Sequence, residues 1–266
     1  MSPRSHTRTV PKSVRTFPIG TAAWVQDTHG WLTTSERRAL LRPLASTHLH
    51  NLVGRTRLAL RLHPGRHAHV APERLDPPST VLARRAEEVA ARRLPPALLY
   101  HSRRTFRFGL ALAILNDTDV DVELLHAAAL LHDTGLLASS GNADFTLESS
   151  CVARDVAEQV GLSDEATTII LDAITLHHSP GVGPEHGAVA QLLSAGAAVD
   201  VIGLHAWQLP DAVLADAVAL HPREGFKDVF IDAFGSEVKR VPAGRAQFLQ
   251  RYGAFATAIR LAPFAE

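Results

Sequence analysis

From Ser79 onward, apolar residues recur at three- and four-residue spacing, in segments separated by capping and chain-breaking residues. No stretch after Ser79 reads as a convincing strand, so the pattern confines the body of the chain to an all-α fold. Ser79 or Thr80 caps a helix to about Arg93. Pro95-Pro96 breaks it, and proline suits the first turn of the next, from about Ala97 to Leu115. Asn116–Asp119 is a turn; the helix after it runs to about His132, and Gly135 can end it. Further helices are expected at about Leu147–Val160, from Ser163 to near His177-His178, and at about Ala188–Leu204. Shorter ones follow at about 211–219, 225–235 and 242–259.

The front of the chain is less regular. Residues 1–32 read as irregular. Thr33 and Glu36 have the spacing of a capping box, and the helix they start is expected to end near Pro43. Arg55–Leu62 alternates apolar and basic residues and fits either a strand or an exposed helix. Residues 63–80, rich in Pro, His and Arg, read as a linker or wrapped loop.

Composition narrows the function classes. With 46% hydrophobic residues, 266 residues can bury a sizeable core, and the formal net charge is zero, so the overall balance asks for neither nucleic acid nor a membrane surface. The charge is uneven: residues 1–80 hold 12 Lys+Arg against 4 Asp+Glu, and the remainder is acidic. The single cysteine, Cys151, excludes an internal disulfide and a Cys-based zinc site, and it fits a reducing, cytoplasmic setting. The opening "MSPRSHTRTVPKSVRTFP" lacks the apolar segment of a secretory signal, and no apolar stretch reaches membrane-spanning length.

Polar residues on apolar helix faces carry the chemistry. Val189, Leu192, Leu193, Gly196, Val199 and Asp200 share a stripe. A buried carboxylate must be paired, protonated or bound to a cation, so Asp200 is either a structural residue tied to a neighbouring helix or a ligand. His177 ends the stripe Ala166, Ile169, Ile170, Ala173, Ile174, with His178 beside it. It is either a satisfied core histidine or a site residue. His132 and Asp133 end an apolar helix about 100° apart around its axis, so they converge only over the helix end, where a metal ion could sit. His101 lies on the core side with Thr105, Phe108 and Leu112. Together His101, His132, Asp133 and Asp200 form a donor set suited to Zn²⁺, Fe²⁺, Mn²⁺ or Co²⁺, with coordination positions left for water or substrate.

These residues resemble the HD-domain superfamily, whose pattern H…HD…D reads here as His101, His132-Asp133 and Asp200 over about residues 75–240. The stretches "PPALLYHSRRTFRFG", "ELLHAAALLHDTGL", "AITLHHSPG" and "HPREGFKDVF" look most like its cyanamide hydratase-like branch. "DFTLESSC" departs from that branch, having Phe145-Thr146 and Ser149 where a Phe-Glu pair and a glycine are expected. The resemblance implies an HD-domain helical bundle over residues 79–240, with an N-terminal extension (1–78, partly irregular) and a C-terminal helix (241–266) packing on it. It implies one divalent metal, Zn²⁺ ahead of Fe²⁺, held by His101, His132, Asp133 and Asp200, because Phe145 stands where a two-metal site would need a further histidine. The metal would activate water, with His177, or else His178, as general acid/base or substrate contact. Arg104 would bind substrate or pair with an acid such as Glu123.

The expected activity is hydration or hydrolysis, lyase- or hydrolase-type, of a small nitrile- or cyanamide-like C–N compound. The alternative is hydrolysis of a nucleotide or other phosphomonoester. No lysine occurs between Lys12 and Lys227, and that scarcity of cations favours the neutral substrate. The expected partner is a small-molecule substrate, without membrane or nucleic acid, and a homo-oligomer is compatible with the sequence.

Overall fold

Side-chain caps and proline breaks place the helices. The computed structural model describes residues 17–264, which hold twelve α-helices and, among the described residues, no strand beyond an isolated bridge between Trp31 and Gly244. Most of the basic opening segment lies outside the described residues, as do the last two residues of the expected 241–266 element. Among the described residues no helix is long and apolar enough to cross a membrane.

The front of the chain is more helical than its pattern suggests. α1 (Ala22–Thr28) lies inside the stretch expected to be irregular. α2 (Thr34–Ala59) begins with the expected capping box: Glu36 N–H donates to Thr33 Oγ1, and Thr33 N–H donates to Glu36 Oε2 at 2.7 Å. It does not end at Pro43. An internal proline costs a helix about 3 kcal/mol, and packing on both sides offsets that. Leu40 and Leu44 pack with Trp24, Val25 and Phe248, and beyond the proline Gly54 lies so close to the Trp207 ring that any Cβ would collide with it. The apolar–basic alternation at 55–62 is therefore the end of a helix and the turn after it, with Leu60 and Leu62 exposed. The 63–80 segment contains two 3-10 turns, Pro64–His67 and Pro72–Leu75.

The body follows the expected order: α3 (Val81–Arg93), α4 (Pro96–Leu115), α5 (Val122–Leu131), α6 (Phe145–Val160), α7 (Asp164–Leu176), α8 (Ala188–Ile202), α9 (Asp211–Leu220) and α10 (Phe226–Arg240). The expected helix at 242–259 is two, α11 (Arg245–Gly253) and α12 (Phe255–Arg260), broken where Ala254 takes a left-handed conformation (φ 46°).

α4 and α8 form the most extensive helix pair, and glycine at their crossing is the reason. A Cβ on Gly196 would run into the Thr105 carbonyl oxygen and come within 2.8 Å of Gly109 N, and one on Gly109 would lie 2.7 Å from Leu192 O. The two backbones therefore touch, and this brings His101 of α4 against Asp200 of α8. α5 and α7 pack around the pair and aim their C-terminal ends at the same place.

Candidate metal centre

Three donors meet at the point where those helix ends converge. His101, His132 and Asp133 are fully buried, and one ligand atom from each lies within 4.8 Å of the others. His101 Nε2 and His132 Nε2 are 3.2 Å apart; Asp133 Oδ2 lies 3.2 Å from His132 Nε2 and 3.6 Å from His101 Nε2. His132 caps the end of α5, so the turn through Asp133 and Thr134 swings the carboxylate beside the imidazole. Ser149 Oγ accepts the N–H of Gly135 at 2.9 Å and pins that turn to α6.

Hydrogen bonds fix the tautomers. His132 Nδ1 is 2.7 Å from the Ala129 carbonyl, which can only accept, so Nδ1 carries the proton. His101 Nδ1 is 2.7 Å from Asp200 Oδ2, and an ionised carboxylate likewise only accepts. Both Nε2 lone pairs then face each other, and Asp133 Oδ2 is buried with no hydrogen-bond partner. Only a proton or a cation relieves such a cluster. Burial lowers the pKa of His101. Burial also works against charge on His132, but the adjacent Asp133 carboxylate outweighs it and raises that pKa. Burial disfavours an ionised Asp133 too, and the surrounding imidazoles, His132 first, reverse this and hold its pKa below the usual carboxylate range. Donor separations of about 3.3 Å suit a tetrahedral ion with bonds of about 2.0–2.1 Å, and imidazoles that give their other N–H to a carboxylate or carbonyl are typical of metal ligands. The donor set fits a divalent ion.

Asp200 does not join those three atoms. Arg104 donates from Nε to Oδ1 and from Nη2 to Oδ2, each at 2.8 Å, and Arg223 Nη1 also reaches Oδ1. With His101 on Oδ2, both oxygens are occupied. Burial would raise the Asp200 pKa, but Arg104 and Arg223 lower it well below the ordinary range. Its place is behind His101, which it orients. The partner of Arg104 is therefore Asp200, not Glu123, and its remaining Nη1 is held by the carbonyls of His221 and Pro222.

His177 stands at the edge of the centre. Its Nδ1 donates to the Ile174 carbonyl at 2.6 Å, which leaves the Nε2 lone pair 3.7 Å from Asp133 Oδ1. Burial and the neighbouring His132 hold its pKa well below the usual value. His178 packs against Phe145 and Phe234, and burial lowers its pKa to about 4. Sequence periodicity missed Arg223, Phe226 and Phe230. Phe226 and Phe230 pack against the His101 ring, and Phe226 also lies against both guanidiniums. The loop carrying Arg223 has no helical period to betray an inward residue.

A cavity of about 540 Å³ opens onto the centre, walled by residues such as Leu44, Val201, Leu204, Phe230 and Phe255. Its polar lining includes the Asp133 carboxylate and histidines such as His101, His132, His177 and His178, and among the described residues no arginine or lysine lines it.

Residues 98–221 match the family model of the HD domain. The match runs from the first turn of α4 to the residue after α9, so His101, His132, Asp133 and Asp200 all fall inside it, while Arg223, Phe226 and Phe230 lie beyond. It supports the HD-domain superfamily, which is one of metal-dependent hydrolases, for the part of the chain that carries the centre. No curated protein matches the chain.

Proposed function

We propose that this protein is a metal-dependent HD-domain enzyme that hydrates or hydrolyses an uncharged C–N compound of the nitrile or cyanamide kind. His101, His132 and Asp133 would hold one divalent ion, zinc ahead of iron, with Asp200 positioning His101. When bound, the ion supplies a Lewis acid that lowers the pKa of a water molecule toward neutrality. The chain's own residues do the rest. Asp200 and the Ala129 carbonyl keep the two imidazoles in the ligating tautomer. His177 Nε2, left as an acceptor by the bond of Nδ1 to the Ile174 carbonyl, stands where it can take a proton from water beside Asp133. Phe145 packs against the His177 ring and Phe230 against the His101 ring.

The observation that carries the substrate class is the charge of the cavity wall. A phosphate ester needs cations to bind it, yet the two arginines nearest the centre, Arg104 and Arg223, are both held by Asp200. The wall suits a neutral, largely apolar molecule. A cavity of about 540 Å³ is also in the range that holds drug-sized ligands. Cyanamide itself, with three heavy atoms, would fill a small part of it, so the favoured substrates carry an apolar substituent on the C–N group. Phosphomonoester hydrolysis remains the alternative on the HD-domain match alone.

Metal analysis of the purified protein, followed by parallel assays with cyanamide, alkyl and aryl nitriles and a generic phosphate ester, tests the reading. Turnover of a nitrile or cyanamide that rises with apolar substituent size is the expected result. Turnover of the ester alone would reverse the two substrate classes.

A further inference from the structure

On the side of α4 away from His101 lies a second cavity, of about 530 Å³, between α3, α4, His126 of α5 and His221. Arg103 and Arg107, one helical turn apart, face it. Arg103 is paired with Glu87. Arg107 differs. It is only 6% exposed, no carboxylate among the described residues pairs with it, and its Nη1 donates to the Leu75 carbonyl at 3.2 Å. Its Nε is buried with no partner, and so are His126 Nδ1 and His221 Nδ1 on the same wall. A buried guanidinium without a counter-charge is destabilising, and three orphaned polar atoms around one cavity call for a bound group. Pro77, Pro78, Ala83 and Phe106 form an apolar part of the wall, and the exposed Arg84 and Glu88 complete it.

We propose that this cavity is a second ligand site, which takes a small organic anion with its carboxylate or phosphate on Arg107 and its apolar part against Phe106, Pro77 and Pro78. The sign follows from Arg107, the buried charge of the wall that no carboxylate among the described residues pairs. An organic body follows from the size, since a bare ion would leave most of the cavity empty. Burial lowers the pKa of both His126 and His221 to about 4, so near neutrality each offers a neutral ring for hydrogen bonding. The site lies apart from the metal centre, on the other face of α4.

Thermal unfolding of the full chain in benzoate, and separately in inorganic phosphate, tests it, with benzamide and chloride at matched ionic strength as controls. The expected result is a saturable rise in Tm with at least one of the two anions and none with the controls. Arg107→Gln should weaken the apparent affinity tenfold or more. Glu87→Gln, which frees Arg103 and removes one of the wall's two acids, should tighten it several-fold. The absence of a saturable rise in the wild type overturns the proposal, and so does an equal rise in Arg107→Gln, which would place the anion elsewhere. If Arg107→Gln does not fold, Glu87→Gln decides: tighter binding supports the site, and unchanged or weaker binding overturns it.

Discussion

Arg104 and Asp200 form a two-pronged ion pair in which both side chains are completely buried. The pair ties α4 to α8 directly behind the imidazole of His101, and Asp200 passes the constraint to His101 Nδ1.

Removing Arg104 leaves the buried Asp200 with only Arg223 and His101, and breaking a buried pair in this way destabilises by about 3–5 kcal/mol. Arg104→Ala should show this in chemical denaturation. Arg104→Lys should recover only part of it, because an ammonium cannot reproduce the two parallel bonds. Loss of such outer support lowers metal affinity by roughly 10–100-fold, so a competitive chelator titration of Arg104→Lys should fall in that range. Wild-type affinity in this variant would sink the positioning role of Asp200.

The three converging donors predict a distinctive response to metal removal. Chelation should lower the Tm of the wild type, since the Nε2 lone pairs and Asp133 Oδ2 then crowd together with nothing between them. His132→Ala should contain no stoichiometric metal and should not turn over substrate. Asp133→Asn removes the negative member, so its Tm should respond little to chelator. Scanning calorimetry with and without chelator checks all three.

Gly196→Ala tests the helix crossing. Its added methyl group meets the Thr105 carbonyl and Gly109, so α4 and α8 must separate. Overpacking of this kind costs about 1–3 kcal/mol. Because His101 and Asp200 ride on the two helices, metal affinity should fall along with stability. An unchanged affinity in a destabilised Gly196→Ala protein would separate the crossing from the centre.

Glu237 supplies a pH dependence away from the centre. It is 2% exposed, and burial together with the nearby Asp144 raises its pKa from 4.5 to about 7, against the pull of Arg240. A raised folded-state value means the protonated form is favoured in the fold. Its contribution is therefore fully present below about pH 4.5, declines as pH rises through about 7, and is flat above. Glu237→Gln should lack that decline. Relative to the wild type it should gain on the order of 1–3 kcal/mol between pH 5 and pH 8, measured by urea unfolding at the two values.

Helix order was readable because caps and breaks are local. Thr33–Glu36, Pro95-Pro96 and Gly161 each act on their own few residues. Pro43 misled because its effect is decided by distant partners, Trp24 and Trp207 among them, which no local pattern names. The centre divides the same way. Periodicity puts His101, His132 and Asp133 on inward faces, and in the structure those three meet. It also puts Asp200 inward but cannot say which atoms will reach it. The arginine that holds it lies one turn from His101 on a face that looks paired to anything acidic, and a second comes from a loop without period. A one-dimensional spacing identifies a face, whereas the choice between binding an ion and orienting its ligand is made by the third dimension.

The contact of Gly109 with α8 and of Gly196 with α4 is made through main chain alone. The frame that sets the distance between His101 and Asp200 is therefore indifferent to the side chains lining either cavity. Exchanges at Leu44, Val201 or Phe255 on one flank, or at Pro77 and Phe106 on the other, could redraw what each chamber admits while the reactive address stays put. Such a scaffold would let substrate preference drift across a family without rebuilding its chemistry.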